Sequence, residues 1–391
     1  MTRRVRPEAG FTLIEALVAT ALMVVVTAGI FTVLNPTQGL FQTQPEVSDM
    51  QQRLRVGVDT LKHDLMMAGA GAYNGSLVGS LNNYFAPVLP FVQSRTADDD
   101  GIGHVYSNRI TIYYVPSTVS QSTTSADMAS GASTLSVNAE SNCPGGTVQC
   151  DITAGKVVAI YDASGAFDTF SVTAAGANGL TLQHTQQGTL SKAYKAGAKV
   201  VEIQQHIYWL NTTTRQLMHE DGLLPAVPVL DNVVGLNFEY YGDPNPPVFR
   251  KLNVDQTVTY GPQPPFISVA NAPWPDGENC MWQVVNNVQV PRVTALAATS
   301  GLVQLTPSQL TDGPWCPDGA STNRYDADLL RIRKIRVTLR LQSGNDSLRA
   351  ALARGQSALF ANAGTSRNNA RTVPDQTVRF DVSPRNMNFG R

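Results

Sequence analysis

Residues 10–34 read GFTLIEALVATALMVVVTAGIFTVL, and this stretch decides how the rest of the chain is arranged. From Phe11 to Leu34 there are 24 residues, no proline, and one charge, Glu15. At about 1.5 Å per residue such a helix exceeds the ~30 Å thickness of a hydrocarbon core. Arg3, Arg4 and Arg6 precede it, a bias that predicts a cytoplasmic N-terminus and an exported body. Asn35-Pro36 follows at once and predicts a bend or an interruption. An ordinary secretory signal fits poorly. Its apolar core would be about 7–15 residues and would be cut at its far end, where no A-x-A sequence precedes Asn35. A plain signal anchor leaves Glu15 unexplained, because a carboxylate at the centre of a membrane helix costs about 2.5–3.5 kcal/mol.

The order of parts (basic leader, Gly10, Phe11, Glu15, apolar run) resembles the prepilin processing motif of type IV pilins and type II secretion pseudopilins. The resemblance implies a cut between Gly10 and Phe11 by a membrane aspartyl peptidase, which also methylates the new N-terminal Phe11. It marks Glu15 as the family's charged position in the apolar helix. The chemistry agrees with those roles. Gly10 offers an unhindered scissile bond. Cleavage frees an α-amine with a reference pKa near 7.7–8.0, and Glu15, about one turn on, supplies a counter-charge within one chain or to a neighbour.

Working outward, Val47, Met50, Leu54, Val58, Leu61 and Leu65 recur at steps of three and four. That spacing predicts a helix over Glu46–Ala68 with one apolar face, ended by Gly69 and Gly71. Beyond it, short β-rich runs separated by Gly, Asn, Pro and Ser predict strands. They fall at 109–115, 156–161, 169–173, 180–184, 199–210, 233–241, 281–290, 329–341 and 376–382. The expected class is α+β: a long N-terminal transmembrane and amphipathic helix packed on an antiparallel β-sheet body. The expected parts are a leader at 1–10, a membrane half at 11–34, an amphipathic continuation at 35–70 and an exported body at 71–391. A Ser/Thr/Ala/Gly-rich segment at 117–198 reads as an inserted β subdomain.

Charged residues make up 15% of the chain and the net charge is -1, so no global attraction to nucleic acid is expected. Four cysteines, Cys143, Cys150, Cys280 and Cys316, fit an oxidising compartment. Three pairings are open. Cys143–Cys150 with Cys280–Cys316 is favoured, since each pair sits in its own Gly/Pro-rich loop. Neither pair has zinc-ligand spacing and no His lies beside one.

Few other groups suggest chemistry. Asp98, Asp99 and Asp100 before Gly101 offer oxygens to Ca²⁺, but the spaced ligands and distal Glu of an EF-hand loop are missing, and a solvated turn is the better account. Arg331, Arg333, Lys334, Arg336 and Arg340 alternate with apolar residues, as in a strand with one wet face. The five histidines are scattered, His104 beside the Asp run among them, and no catalytic motif or cofactor signature occurs.

Three further pieces, at Thr96–Gly101, Tyr325–Arg333 and Ser383–Asn388, resemble PilW-type minor pilins. That resemblance implies a non-enzymatic subunit of pilus assembly and initiation. Its partners would be other minor and major pilins, the prepilin peptidase/methyltransferase and the inner membrane. The subunit would then move from the membrane to the pilus at the cell surface. A type II secretion pseudopilin, or a tip subunit that binds a surface or DNA, are the alternatives.

Overall fold

The computed structural model describes residues 10, 12–71, 79–93, 100–101, 103–117, 120–140, 143, 150–176, 181–185, 190–222, 225–248, 260–265, 273–296, 301–349 and 373–388. The leader residues 1–9, Phe11, Asp98 and Asp99 lie outside this set. One α-helix runs Leu13–Met67 for 55 residues. The interruption expected at Asn35-Pro36 is not there: helix is assigned through both Pro36 and Pro45. A proline forfeits one backbone hydrogen bond and strains the turn before it, at about 3 kcal/mol. A helix this long keeps its bonds on either side.

The chain divides into two compact units, 1–52 with 342–376 and 53–341 with 377–391. In the first, Leu13–Phe31 is apolar and exposed on every side. Its polar side chains are satisfied locally: Thr20 and Thr27 donate to the carbonyls of Ala16 and Met23 at 3.0 and 2.7 Å. Such back-bonding lets a hydroxyl sit in an apolar setting. Further along, the Glu46 carboxylate accepts the Ser343 hydroxyl at 3.0 Å and the Gly344 N–H at 2.5 Å.

In the second unit the helix presents Leu54, Gly57, Leu61 and Leu65 as a buried stripe, the face the spacing predicts. A Cβ at Gly57 would come within 2.8 Å of Leu230 and 3.6 Å of Leu339, so the helix backbone rides closely on two sheets. The helix ends as expected at Gly69, which takes the left-handed conformation (φ +79°) and donates its N–H to Tyr113 at 2.9 Å.

The first sheet is antiparallel, in the order Val88–Leu89, Arg109–Tyr114, Gln204–Asn211, Gln216–Glu220, Val227–Asp231. The second has the order Val303–Leu305, Val233–Gly242, Ile332–Leu341, Gln376–Val382. A third sheet of six strands is drawn from 121–202, between two neighbouring strands of the first sheet. It has its own apolar core, including Val158, Ile160, Phe170, Val172, Tyr194 and Val200. The run expected as a single strand over 199–210 is in fact two. Lys199–Glu202 pairs in the third sheet, Gln204–Asn211 in the first, and the chain changes sheets at Ile203. Likewise 281–290 is a hairpin, Trp282–Val285 with Val288–Pro291. Asn286 and Asn287 turn it with φ of 52° and 61°, the conformation Asn tolerates best after Gly.

Candidate functional site

At the N-terminus, Gly10 is exposed and the helix begins three residues later. Thr12 and Glu15 close a reciprocal cap. The Thr12 N–H and hydroxyl donate to Glu15 Oε2 at 3.0 and 2.8 Å, and the Glu15 N–H donates to Thr12 Oγ1 at 3.3 Å. This is the capping box that Ser/Thr-x-x-Glu encodes. Its signal stands in the sequence as Thr12-Leu13-Ile14-Glu15, hidden beneath the processing motif that shares those residues. After it come Leu13, Ile14, Leu17, Val18, Leu22 and Val25, each more than half exposed. An exposed apolar surface of this extent marks a site of membrane or protein contact.

The cysteines are joined Cys143–Cys150 and Cys280–Cys316, with Cα separations of 4.9 and 5.1 Å. Asp100 is committed locally: it accepts the Val92 N–H at 2.7 Å and pairs with Arg109.

The basic run departs from its expected single wet face. Lys334, Arg336 and Arg340 do alternate with buried Ile335, Val337, Leu339 and Leu341. Arg331 and Arg333, however, are fully buried. Arg331 ends a 3-10 turn (Ala327–Arg331), where it pairs with Asp328 and donates to the carbonyls of Asp243, Pro244 and Thr294. Arg333 donates to Leu330 O at 2.9 Å and Ile332 O at 2.7 Å and lies over the Tyr260 ring. On the open face Arg336 pairs with Asp381 and Glu239. Burial holds the Asp328 carboxyl up at about 6 even with Arg331 beside it. Arg331, Lys334 and Arg336 are thus paired with carboxylates within the fold.

The structure brings together a group that the sequence kept apart. Asp64 interrupts the apolar helix stripe and is buried. Over it lie His206 of strand Gln204–Asn211 and His219 of the adjacent strand Gln216–Glu220. Tyr208 donates its hydroxyl to Asp64 Oδ2 at 2.5 Å. His206 Nδ1 is 3.3 Å from the same oxygen and 2.8 Å from His219 Nε2. Tyr114 meets the other His206 nitrogen, Nε2, at 3.1 Å, with the two rings parallel within 4°. A Tyr114 hydroxyl donating to Nε2 leaves the His206 proton on Nδ1, shared between Asp64 and His219. Burial pushes both imidazoles below their ordinary value, against the opposing pull of Asp64 and Asp221. Burial also raises Tyr114 to about 12 and Tyr208 further still. An unpartnered buried carboxylate would cost several kcal/mol, and this network offsets that cost. Each histidine looks isolated in the sequence because nothing there predicts the strand at 216–220. Without it, the hairpin that places them side by side is invisible.

A second acid-rich group, Asp312, Asp326 and Asp328, has ligand atoms within 4.8 Å of one another. Asp328 is neutralised there by Arg331, and Asp326 accepts the N–H groups of Gly313 and Asp328.

Comparison with known proteins adds two findings. Residues 5–31 match the prokaryotic N-terminal methylation motif. Over 109 residues the chain is 35% identical to pilin-like protein PilA3 of Thermus thermophilus. That match takes in 28% of this chain and 42% of PilA3, less than half of either. No solved structure matches the chain.

Proposed function

We propose that this chain, type IV pilin-like by its methylation motif and its likeness to PilA3, is a minor subunit that takes part in pilus assembly or initiation. In this reading it is cut between Gly10 and Phe11 and methylated on Phe11 by a prepilin peptidase. It waits in the inner membrane with its body on the periplasmic side. It then enters the fibre by packing Leu13–Phe31 against the helices of other pilins. The observation that carries the reading is the N-terminal helix itself: a fully exposed apolar surface with one carboxylate a turn from the expected new terminus. Both destinations of the helix, lipid and a bundle of like helices, are apolar, so transfer between them costs little. Glu15 gives the transfer direction, because its charge is best satisfied by a neighbour's terminal amine. A β body built on three larger sheets and carrying two disulfides suits a part exposed outside the cytoplasm.

The test is deletion of the gene with piliation and protein secretion scored separately. Lost or reduced pili with intact secretion supports the proposal. Lost secretion with normal pili would reassign the chain to a type II secretion pseudopilus.

A further inference from the structure

We propose that Asp64, His206 and His219 form a binding site for a divalent transition metal, zinc by its donor chemistry, that staples the helix to the first sheet. The three residues come from three segments, the helix and two paired strands. Their ligand atoms, Asp64 Oδ2, His206 Nδ1 and His219 Nε2, converge within 4.8 Å. Two nitrogens and one carboxylate oxygen are the donors zinc takes when three protein ligands leave a fourth position to water. Imidazole disfavours Ca²⁺ and Mg²⁺, which take oxygen ligands.

Distances agree with this. Bonds of about 2.0–2.1 Å in a tetrahedron place ligand atoms about 3.3 Å apart. The His206 Nδ1 to Asp64 Oδ2 separation is 3.3 Å. The two nitrogens stand at 2.8 Å, with their ring centroids 5.0 Å apart and the planes within 15°. The rings therefore meet edge to edge, with both lone-pair directions aimed at one proton. A metal ion takes the place of that proton once the nitrogens open by about 0.5 Å and the two rings tilt, turning their lone pairs off the N–N line toward one tetrahedral centre.

The proton balance closes without an added acid or base. Neutral His206 carries its proton on Nδ1 in the metal-free network. On binding, that nitrogen becomes the ligand and the proton resides on Nε2. There the Tyr114 oxygen, 3.1 Å away, turns from donor to acceptor. A ligating histidine held through its second nitrogen is the usual outer support of such sites. Tyr208 serves the carboxylate in the same way, donating to Asp64 Oδ2 in either state. Asp64 supplies one negative charge, and Asp221 adds a second that acts on both imidazoles. The His206 side chain keeps 15% of its surface exposed, which gives an ion access from solvent.

The test uses the full chain, purified in detergent, stripped with chelator and titrated with Zn²⁺. The expected result is one equivalent bound per chain and a rise in Tm. His219→Gln should weaken binding at least tenfold while leaving the chelated protein's Tm within a few degrees of wild type. Where that variant fails to fold, Co²⁺ loaded into the wild-type chain decides: a tetrahedral visible spectrum supports the site, an octahedral one overturns it. Failure of wild type to bind, or binding unchanged in a folded His219→Gln variant, would also overturn it. The network would then be a shared proton only.

Discussion

Glu15→Gln separates the two jobs that Glu15 does. In the structure the side chain accepts bonds of 2.8 and 3.0 Å from Thr12, and the Glu15 N–H donates one of 3.3 Å to Thr12 Oγ1. A glutamine keeps this cap, because a capping box accepts Glu or Gln at that position. It removes only the charge. The cap is worth about 1 kcal/mol. The charge is worth more. Two unit charges 4 Å apart at an effective dielectric near 20 interact by about 4 kcal/mol. With the cap retained, what the variant loses is the pairing with a neighbour's terminal amine, up to about 4 kcal/mol or about three orders of magnitude in an equilibrium. The assay compares the fraction of subunit in sheared fibres with the fraction left in the membrane, by immunoblot. Glu15→Gln should be processed normally and accumulate in the membrane, as Glu15→Ala should. If Glu15→Gln enters fibres like wild type while Glu15→Ala does not, the side chain acts as a cap and the charge argument is wrong.

Two further outcomes concern the body. Arg331→Ala strips Asp328 of its cation in a fully buried site and should destabilise the detergent-solubilised chain by about 3–5 kcal/mol. Asp328→Asn/Arg331→Met should recover part of that loss in thermal unfolding, and additive losses would refute the coupling. Asp381→Asn concerns pH. Hydrogen bonds from Arg336, then Lys334, hold the Asp381 carboxyl down at about 2. Its stabilisation is therefore present above about pH 4, the ordinary carboxylate value, and lost as pH falls through about 2. The side chain is 39% exposed, so the effect is under about 1 kcal/mol. The Tm gap between wild type and variant should close between pH 4 and pH 2, and a gap that widens there contradicts the sign.

The elements legible in the sequence are those whose signal is local. The membrane-length helix, the stripe through Leu54, Leu61 and Leu65, the Gly69 stop and the strand at 376–382 each follow from periodicity or a single special residue. The cap at Thr12-Leu13-Ile14-Glu15 is equally local, yet the processing motif explains the same residues and masks it. Other features depend on partners distant in the chain. Arg331 and Arg333 look like surface residues until the loops carrying Asp243, Thr294 and Tyr260 close over them. Strand Gln216–Glu220 is short and carries His219 and Glu220, so no apolar alternation marks it. It exists because it pairs with Gln204–Asn211, and only that pairing brings His219 to His206 and both to Asp64.

The central claim, a pilin-like subunit prepared for assembly at its N-terminus, is tested most directly by the mass of the N-terminal peptide of the protein recovered from sheared pili. The account predicts a chain that begins at Phe11 and carries a single methyl group on its amine. An intact leader, or a cut on the far side of the apolar run after Leu34, would contradict it.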